Sequence, residues 1–498
     1  MKNENYELLT IKVKDFGVIK EGEVKLKPLT IFFGKNNTGK TYMGYLIWGI
    51  FENFAYPSFL KFKIIDNSNN LNHVISKLKS IIANQTSGEI HFDKIKLCME
   101  KNYIKRVFNY GEIDFRELEI TLNKKFKYEI ITKYFGIIDE KYIDKILIDF
   151  LKEEDVNDKK TNKLCVGIFE NPPWTASFRP VEGNIVVGIK NNIIKRQREL
   201  GKILKDMIML DVFEILLENT VKNVIYLPAS KSGLILSSGL FIDKVFDSST
   251  IFRIYGESEA SEEEKLEFPE PVKDFMRIYL KPSIYNLDIN QEYQDIALLF
   301  ENNIIKGKLI YDKDANKLSY ITKNGKPIPF HCASSSVVET IPLLKLLKYS
   351  KLIKKGTLLI IEEPEAHLHP DAQRIFARAI VKLINKGVYV LLITHSPDIL
   401  QQINNNIKLY YLEKMGKNKE LETFLKKYNY GENEILNPEK VAPYLFVDEG
   451  DGVKIKELEI IEGEGISYEA FYQTLYELHT ETEELRDLIE GEDGDIEE

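Results

Sequence analysis

The sequence predicts an α/β fold with a mainly parallel central sheet, antiparallel strands toward its N-terminus and a large mixed insertion. Three features predict it. The runs LTIFF (29–33), TLLIIEE (357–363) and VYVLLIT (388–394) are short and apolar on both faces, as in strands covered by helices on each side. Helical patterns at 42–54, 339–353 and 371–386 accompany them. Each run also delivers polar residues at its C-terminal end, the edge of an open α/β sheet where ligands collect.

Taken in order, residues 7–33 read as the strands ELLTIKVKDF, EGEVKLK and LTIFF, with Gly17 and Pro28 at turns. Residues 42–54, YMGYLIWGIFENF, are apolar nearly all round and predict a buried helix, with Gly44 and Gly49 permitting close packing. The pattern then loses clarity over 61–220, which is rich in Asn and Lys. Helices are expected there at 71–83, 138–153 and 191–219 and strands near 113–132, without the sustained heptads of a coiled-coil arm. VIYLPAS (224–230) resumes the regular architecture, and 257–271 reads as an exposed loop. GKLIYD, KLSYIT and the Asn324-Gly325 turn into KPIPF signal a hairpin. The expected organisation is an N-terminal lobe over 1–60, an inserted lobe over 61–220, a C-terminal lobe over 221–445 and an appendix over 446–498.

With 498 residues, core size is not limiting, and two or three domains are expected. Hydrophobic residues at 44% and charged residues at 29% exclude a disordered or collagen-like chain. No apolar run reaches the roughly 18 residues of a membrane span, and the polar N-terminus lacks a signal-peptide core. Cys98, Cys165 and Cys332 are scattered singly, which fits neither a disulfide framework nor a Cys-x-x-Cys metal site. A soluble, unprocessed protein of the reducing cytoplasm, with no membrane partner, is expected. The net charge of −9 hides an asymmetry: residues 446–498 carry 19 acidic against three basic side chains, leaving +7 on residues 1–445. A basic body suits either a nucleic-acid partner or a lysine-rich solvated surface.

Gly34-Lys35-Asn36-Asn37-Thr38-Gly39-Lys40-Thr41 matches G-x-x-x-x-G-K-[ST] in full, between a strand and a helix. Glycines at both ends let backbone N–H groups curl around a phosphate, and the helix N-terminus adds its dipole. Lys40 is expected to reach the β- and γ-phosphates of ATP, and Thr41 to ligate magnesium. At the end of the acidic strand, Glu362 is the second expected magnesium ligand and Glu363 the group that polarises the attacking water. His395, after VLLIT, is placed to contact the γ-phosphate or that water. His367 and His369 form a His-x-His pair with no third ligand nearby, so structural packing is expected of them.

GKNNTGKT, LLIIEEPEAHLHP and THSPD, in this order, resemble the ABC-type ATPases of the SMC, RecF and OLD group, especially the stand-alone ATPases of anti-phage systems such as Septu and PARIS. The matches cover roughly residues 8–54 and 300–410, and VIYLPASKSGL is also similar. The resemblance implies a P-loop ABC-ATPase fold and two further motifs. Ala333-Ser334-Ser335-Ser336-Val337-Val338-Glu339 is similar to the signature segment, and Glu365 to Pro370 to the loop that crosses a dimer interface. It implies an ATP-gated homodimer in which Ser334, Ser335 and Ser336 of one chain cap the nucleotide held by the phosphate loop of the other. A glutamine linking magnesium to the inserted lobe is also implied, and no position in the sequence marks it.

Two departures from the family stand out. Ser336 occupies the usual glycine position, which would cost about 1 kcal/mol if φ were positive there and would favour slow hydrolysis. Glu362 replaces the common aspartate, as the OLD-like branch often does. Ile460-Ile461-Glu462-Gly463 resembles the opening of a TOPRIM nuclease, but the later Asp-x-Asp strand is missing, and a small strand–helix appendix is the expected structure. The functions implied are an ATP-gated sensor or scaffold for a separate effector nuclease, or a RecF- or SMC-like DNA-repair clamp. A transporter's ATPase subunit fits the insertion and the Glu-Glu-Pro-Glu block less well.

Overall fold

The computed structural model describes residues 6–55, 88–92, 95–97, 107–108, 117–122, 126–133, 176–181, 184–189, 221–237, 268–280, 289–312, 317–467 and 469–492. The helices expected at 71–83, 138–153 and 191–219, residues 257–267 of the expected loop, Cys98 and Cys165 lie outside these residues. The chain divides into two compact units. The first holds Met1–Leu60, Met99–Leu118 and Leu217–Glu498, the second Lys61–Cys98 and Glu119–Leu216.

The first unit opens with β1 (Leu9–Phe16) and β2 (Ile19–Leu26), an antiparallel hairpin pairing Leu9 with Leu26 and Phe16 with Ile19. Leu9, Ile11, Val13 and Phe16 are buried, which pins the register because a slip of one residue would turn them outward. β3 (Leu29–Gly34) is apolar on both faces and leads through the glycine loop into α1 (Lys40–Ala55). Gly44 is where α1 meets the sheet: a Cβ there would lie 2.8 Å from Ile393 Cδ1.

In the second unit, β5 (Ile95–Leu97) and β6 (Glu117–Leu122) pair antiparallel through Ile95–Leu122 and Leu97–Ile120, and Glu117 and Leu118 belong to the first unit. A four-stranded sheet runs in the order β4 (Gly88–Phe92), β7 (Phe126–Lys133), β9 (Asn184–Ile189), β8 (Ala176–Val181).

Back in the first unit come β10 (Asn223–Leu227), α2 (Glu270–Leu280) and α3 (Gln294–Asn303). A three-stranded meander of β11 (Gly307–Asp312), β12 (Lys317–Thr322) and β13 (Pro327–Ile328) follows, turning at Gly325 with φ 76°. Then come α4 (Ser335–Tyr349), β14 (Thr357–Glu362), α5 (Pro370–Asn385), β15 (Tyr389–Ile393), α6 (Pro397–Lys414) and α7 (Asn418–Lys427). α4 begins before residue 339, where the apolar pattern alone had placed its start, because Ser334 takes the extended N-cap conformation. α6 is capped by Ser396, whose Oγ accepts the Ile399 N–H at 3.1 Å, with Pro397 in the first turn.

Five parallel strands form the middle of the main sheet in the order β10, β14, β15, β3 and β16 (Val441–Asp448). β16 turns back into β17 (Val453–Glu457), which pairs with β2 and so joins the hairpin of β1 and β2 to the parallel strands. Residues 441–457, across which the sequence placed the 445/446 boundary, are therefore one hairpin inside the sheet. Their apolar positions are spent on it: Val441, Tyr444, Phe446 and Val453 are buried, while the acidic side chains face outward. Beyond it, Ile460–Ile461 forms only a two-residue strand, β18, paired with β19 (Gly465–Ile466) around Gly463, before the charged helix α8 (Glu469–Glu492).

Candidate nucleotide site

Register fixes the site. Leu227 of β10 pairs with Ile361, Glu362 with Ile393, and Ile393 with Phe32, so four parallel strands end level at one edge. There the chain leaves β3 as the phosphate loop, β14 as Glu362-Glu363, β15 as Thr394-His395 and β10 as Pro228-Ala229.

Gly34, Asn37 and Gly39 all have left-handed backbones, with φ of 136°, 63° and 85°. At Gly34 a Cβ would stand 2.5 Å from Phe446 O, and at Gly39 2.9 Å from Ile19 Cγ1. Both glycines are thus required by neighbours as well as by φ. Lys35, Asn36 and Asn37 are exposed at the tip. Thr38 is buried, and its hydroxyl donates to Lys35 O at 2.8 Å. Lys40, also buried, donates from Nζ to Lys35 O at 2.6 Å, Gly34 O at 3.0 Å and Thr38 Oγ1 at 3.3 Å. Burial pulls its pKa down to about 8, against the charges of Glu363, Glu362 and Glu365.

Glu362 is 3% exposed. Its Oε2 accepts the Ala229 N–H at 3.2 Å, whereas its Oε1 is buried with no hydrogen-bond partner, as is the Tyr226 hydroxyl. Burial pushes the Glu362 pKa up, and the Thr41 and Tyr226 hydroxyls act against the rise. Glu363 follows with φ 43°, its N–H donating to Ile393 O at 2.8 Å. That conformation is uncommon for a side chain other than glycine and breaks the strand at the point where the sheet edge begins.

His395 is half-buried. Burial, then the charge of Lys40, lowers its pKa, so the imidazole is held neutral at pH 7, while Glu363 acts in the opposite sense. Its position is set by Glu365, which accepts the His395 N–H and the Thr394 hydroxyl. His367 is exposed with φ 60°. His369 is the N-cap of α5, its Nδ1 accepting the Asp371 N–H. No cluster of three metal-ligating side chains occurs among the described residues.

The structure therefore brings Gly34–Thr41, Glu362, Glu363 and His395 to one edge. Ser334, Ser335 and Ser336 sit at the start of α4, where their hydrogen bonds stay local: Ser334 Oγ and Ser336 Oγ are 3.0 Å apart, and the Thr340 hydroxyl donates to Ser336 O at 2.7 Å. Ser334 and Ser335 are exposed. Ser336 lies in the first helical turn and is not among the positive-φ residues, so the strain that would favour slow hydrolysis is absent. A Cβ is as acceptable there as at any helical position.

Residues 7–400 match the AAA ATPase domain family. The chain belongs to that family. No curated protein matches it. Among solved structures, the ATPase is similar to an SMC head bound to the C-winged helix domain of ScpA, at TM-score 0.33 and 11% identity over 91% of this chain and 97% of that one. It is similar too to the SMC head domain from Thermotoga maritima, at TM-score 0.30 and 9% identity over 91% and 98%. A third similar structure is an Smc head with an extended coiled coil bound to the C-terminal domain of ScpA from Pyrococcus furiosus, at TM-score 0.31 and 11% identity over 96% and 98%.

The ATPase holds further site residues to which the sequence alone assigns no role. Lys231 and Glu339 form a buried ion pair at 2.8 Å beside Glu362, Tyr226 places its hydroxyl near the same carboxylate, and Glu365 is the tie between two loops. All four lie in segments that the motif resemblance covers, Tyr226 and Lys231 in VIYLPASKSGL, Glu339 at the end of 333–339 and Glu365 in the Glu-Glu-Pro-Glu block, but none of those segments shows what each side chain meets. What reaches Glu362 from the segment after β10 is the Ala229 N–H, at the carboxylate, and the Lys231 ammonium, at the backbone carbonyl. Magnesium fits the donor set: the unpartnered Glu362 Oε1 lies where the Thr41 hydroxyl also acts, and hard oxygen donors of this kind suit that cation. No described helix is long and apolar enough to cross a membrane.

Proposed function

We propose that this ATPase binds ATP with magnesium at the edge of β3, β14 and β15 and works as an ATP-gated homodimer of ABC type. The observation that carries it is the meeting of Lys40, Glu362, Glu363 and His395 at one strand edge. The backbone of Gly34–Thr41 cradles the phosphates, and Lys40 leaves its loop acceptors to meet them. Thr41 and Glu362 would hold magnesium, which when bound neutralises phosphate charge. Glu363 orients and deprotonates the attacking water, and neutral His395 offers a hydrogen bond to the γ-phosphate or that water. Ser334 and Ser335, exposed at the start of α4, are free to cap a phosphate held by a second copy, with Ser336 beside them.

The test is kinetic and hydrodynamic. Lys40→Ala is expected to abolish ATP binding, and Glu363→Gln to retain binding, stop turnover and trap the dimer in light scattering. Parent-rate hydrolysis by Glu363→Gln would remove Glu363 from its role.

Motif similarity supports a finer reading: the sensor or scaffold subunit of a prokaryotic anti-phage system that controls an effector nuclease from a neighbouring gene. Loss of the chain should then raise phage sensitivity, and unchanged sensitivity overturns this. The net +7 of residues 1–445 favours a second reading, a RecF- or SMC-like clamp on DNA. That reading predicts ATP-stimulated binding with a steep salt dependence, and absence of binding at low salt eliminates it.

A further inference from the structure

One buried ion pair joins two parts of the site that lie far apart in the chain. Lys231 Nζ is 2.8 Å from Glu339 Oε1, with the side chains 5% and 2% exposed. The same ammonium donates to Pro228 O at 3.0 Å and to Glu362 O at 3.1 Å, so all of its protons are used. Glu339 also accepts the Lys231 N–H at 3.2 Å and the Ser232 N–H at 2.9 Å. Burial pushes the Glu339 pKa up, yet Lys231 and Ser232 outweigh it and hold the carboxyl below its usual range. A pair this deep is kept only where every lone pair and proton finds a partner, as here.

What the two ends touch gives the pair a role beyond fastening. Glu362 O belongs to the peptide that joins Glu362 to Glu363, and the N–H of that peptide donates to Ile393 O at 2.8 Å. Both polar atoms of the peptide are gripped, one by Lys231 and one by β15, where Glu363 turns to φ 43°. At the other end, Glu339 stands about one helical turn after Ser335, on the helix that begins with the exposed serines.

We propose, on the ATPase reading above, that Lys231 and Glu339 are positioning residues: they set the peptide that aims Glu363 and tie it to the helix that presents Ser334 and Ser335 to a second copy. Movement of the Glu362–Glu363 peptide on nucleotide binding passes through the ammonium to α4. Docking of a second copy on the serines passes back the same way.

The test uses the full chain carrying Lys231→Met together with Glu339→Gln, which leaves no unpaired ion buried and so protects folding. In the nucleotide-free protein, hydrogen exchange is expected to quicken in both 334–340 and 363–366 while α5 is unchanged. Loosening confined to 230–232 overturns the proposal. With ATP, kcat is expected to fall about 100-fold while the Kd for ATP stays within about threefold, the split that marks lost aim rather than lost binding. A folded double variant turning over within about threefold of the parent also overturns it. Lys231→Met alone should be no faster than the pair, since the two act as one unit. Failure of the ATPase reading itself has a different signature: the parent shows no turnover that depends on Lys40, while the exchange result still decides whether the tie exists.

Discussion

Glu365 accepts from both the Thr394 hydroxyl, at 2.8 Å, and the His395 N–H, so one carboxylate fastens the loop after β14 to the loop after β15. The loops that carry the water-activating candidate Glu363 and the phosphate-sensing candidate His395 are thereby fastened to each other. Glu365→Ala removes two bonds to a charged acceptor and is expected to cost about 2 kcal/mol in urea unfolding. Turnover should fall by one to two orders of magnitude with ATP affinity little changed. A variant that loses stability but keeps the parent kcat would show that the tie serves the fold alone.

Lys40 makes ATP binding a proton-coupled event. In the free protein burial has brought its pKa down to about 8, so above that pH much of it is neutral. A bound triphosphate favours the ammonium and raises that pKa, hence binding takes up a proton around pH 8 to 9. Affinity should fall as pH rises through about 8, by up to about tenfold per unit. Calorimetric titration in buffers of different ionisation enthalpy reads the uptake directly. For stability the sign is that of a depressed pKa: the burial penalty is present below about 8 and relieved toward the ordinary lysine value.

The parts of this molecule that could be read from sequence are those whose physics is local. A wholly apolar strand running into glycines and then an apolar helix leaves one reading for residues 29–54, and the Glu362-Glu363 end of β14 and the Thr394-His395 end of β15 needed only their flanking strands. The Lys231–Glu339 pair could not be read this way, because its partners lie 108 residues apart and neither window says what its charge meets. The hairpin over 441–457 was obscured for a different reason. Its outward side chains are mostly acidic, so the charge balance groups residues 446–457 with the tail. Ser336 shows the limit of a residue-type argument, since the cost of its Cβ depends on a φ that only the helix start at Ser335 determines.

The phosphate loop is braced from outside by β16. A methyl group at Gly34 would meet Phe446 O at 2.5 Å with φ at 136°, where a side chain is strained regardless of space. Gly34→Ala is expected to destabilise the nucleotide-free chain by about 2–3 kcal/mol and to abolish ATP binding. Thermal unfolding and nucleotide titration check the two effects. Trimming Phe446 to Ala leaves its carbonyl in place and should not rescue the variant, which identifies the backbone as the obstacle.

Glu362 carries a buried oxygen with no protein partner, which on the proposed reading is where the cation would bind. Without the cation the carboxylate is a liability. Its pKa is raised by burial, so its contribution to stability is fully present below about 4.5 and is lost as pH rises through the folded value. Glu362→Gln removes that titration. The nucleotide-free variant should equal or exceed the parent in thermal stability at pH 7, by about 1–2 kcal/mol at most, since an unpaired buried amide costs less than an unpaired buried carboxylate. With a non-hydrolysable ATP analogue the order reverses. The parent gains further stability when magnesium is added to the analogue, whereas the variant gains from the analogue alone and nothing more from the metal. Equal magnesium-dependent shifts in parent and variant would move the metal site away from Glu362 and leave its bare oxygen without a purpose.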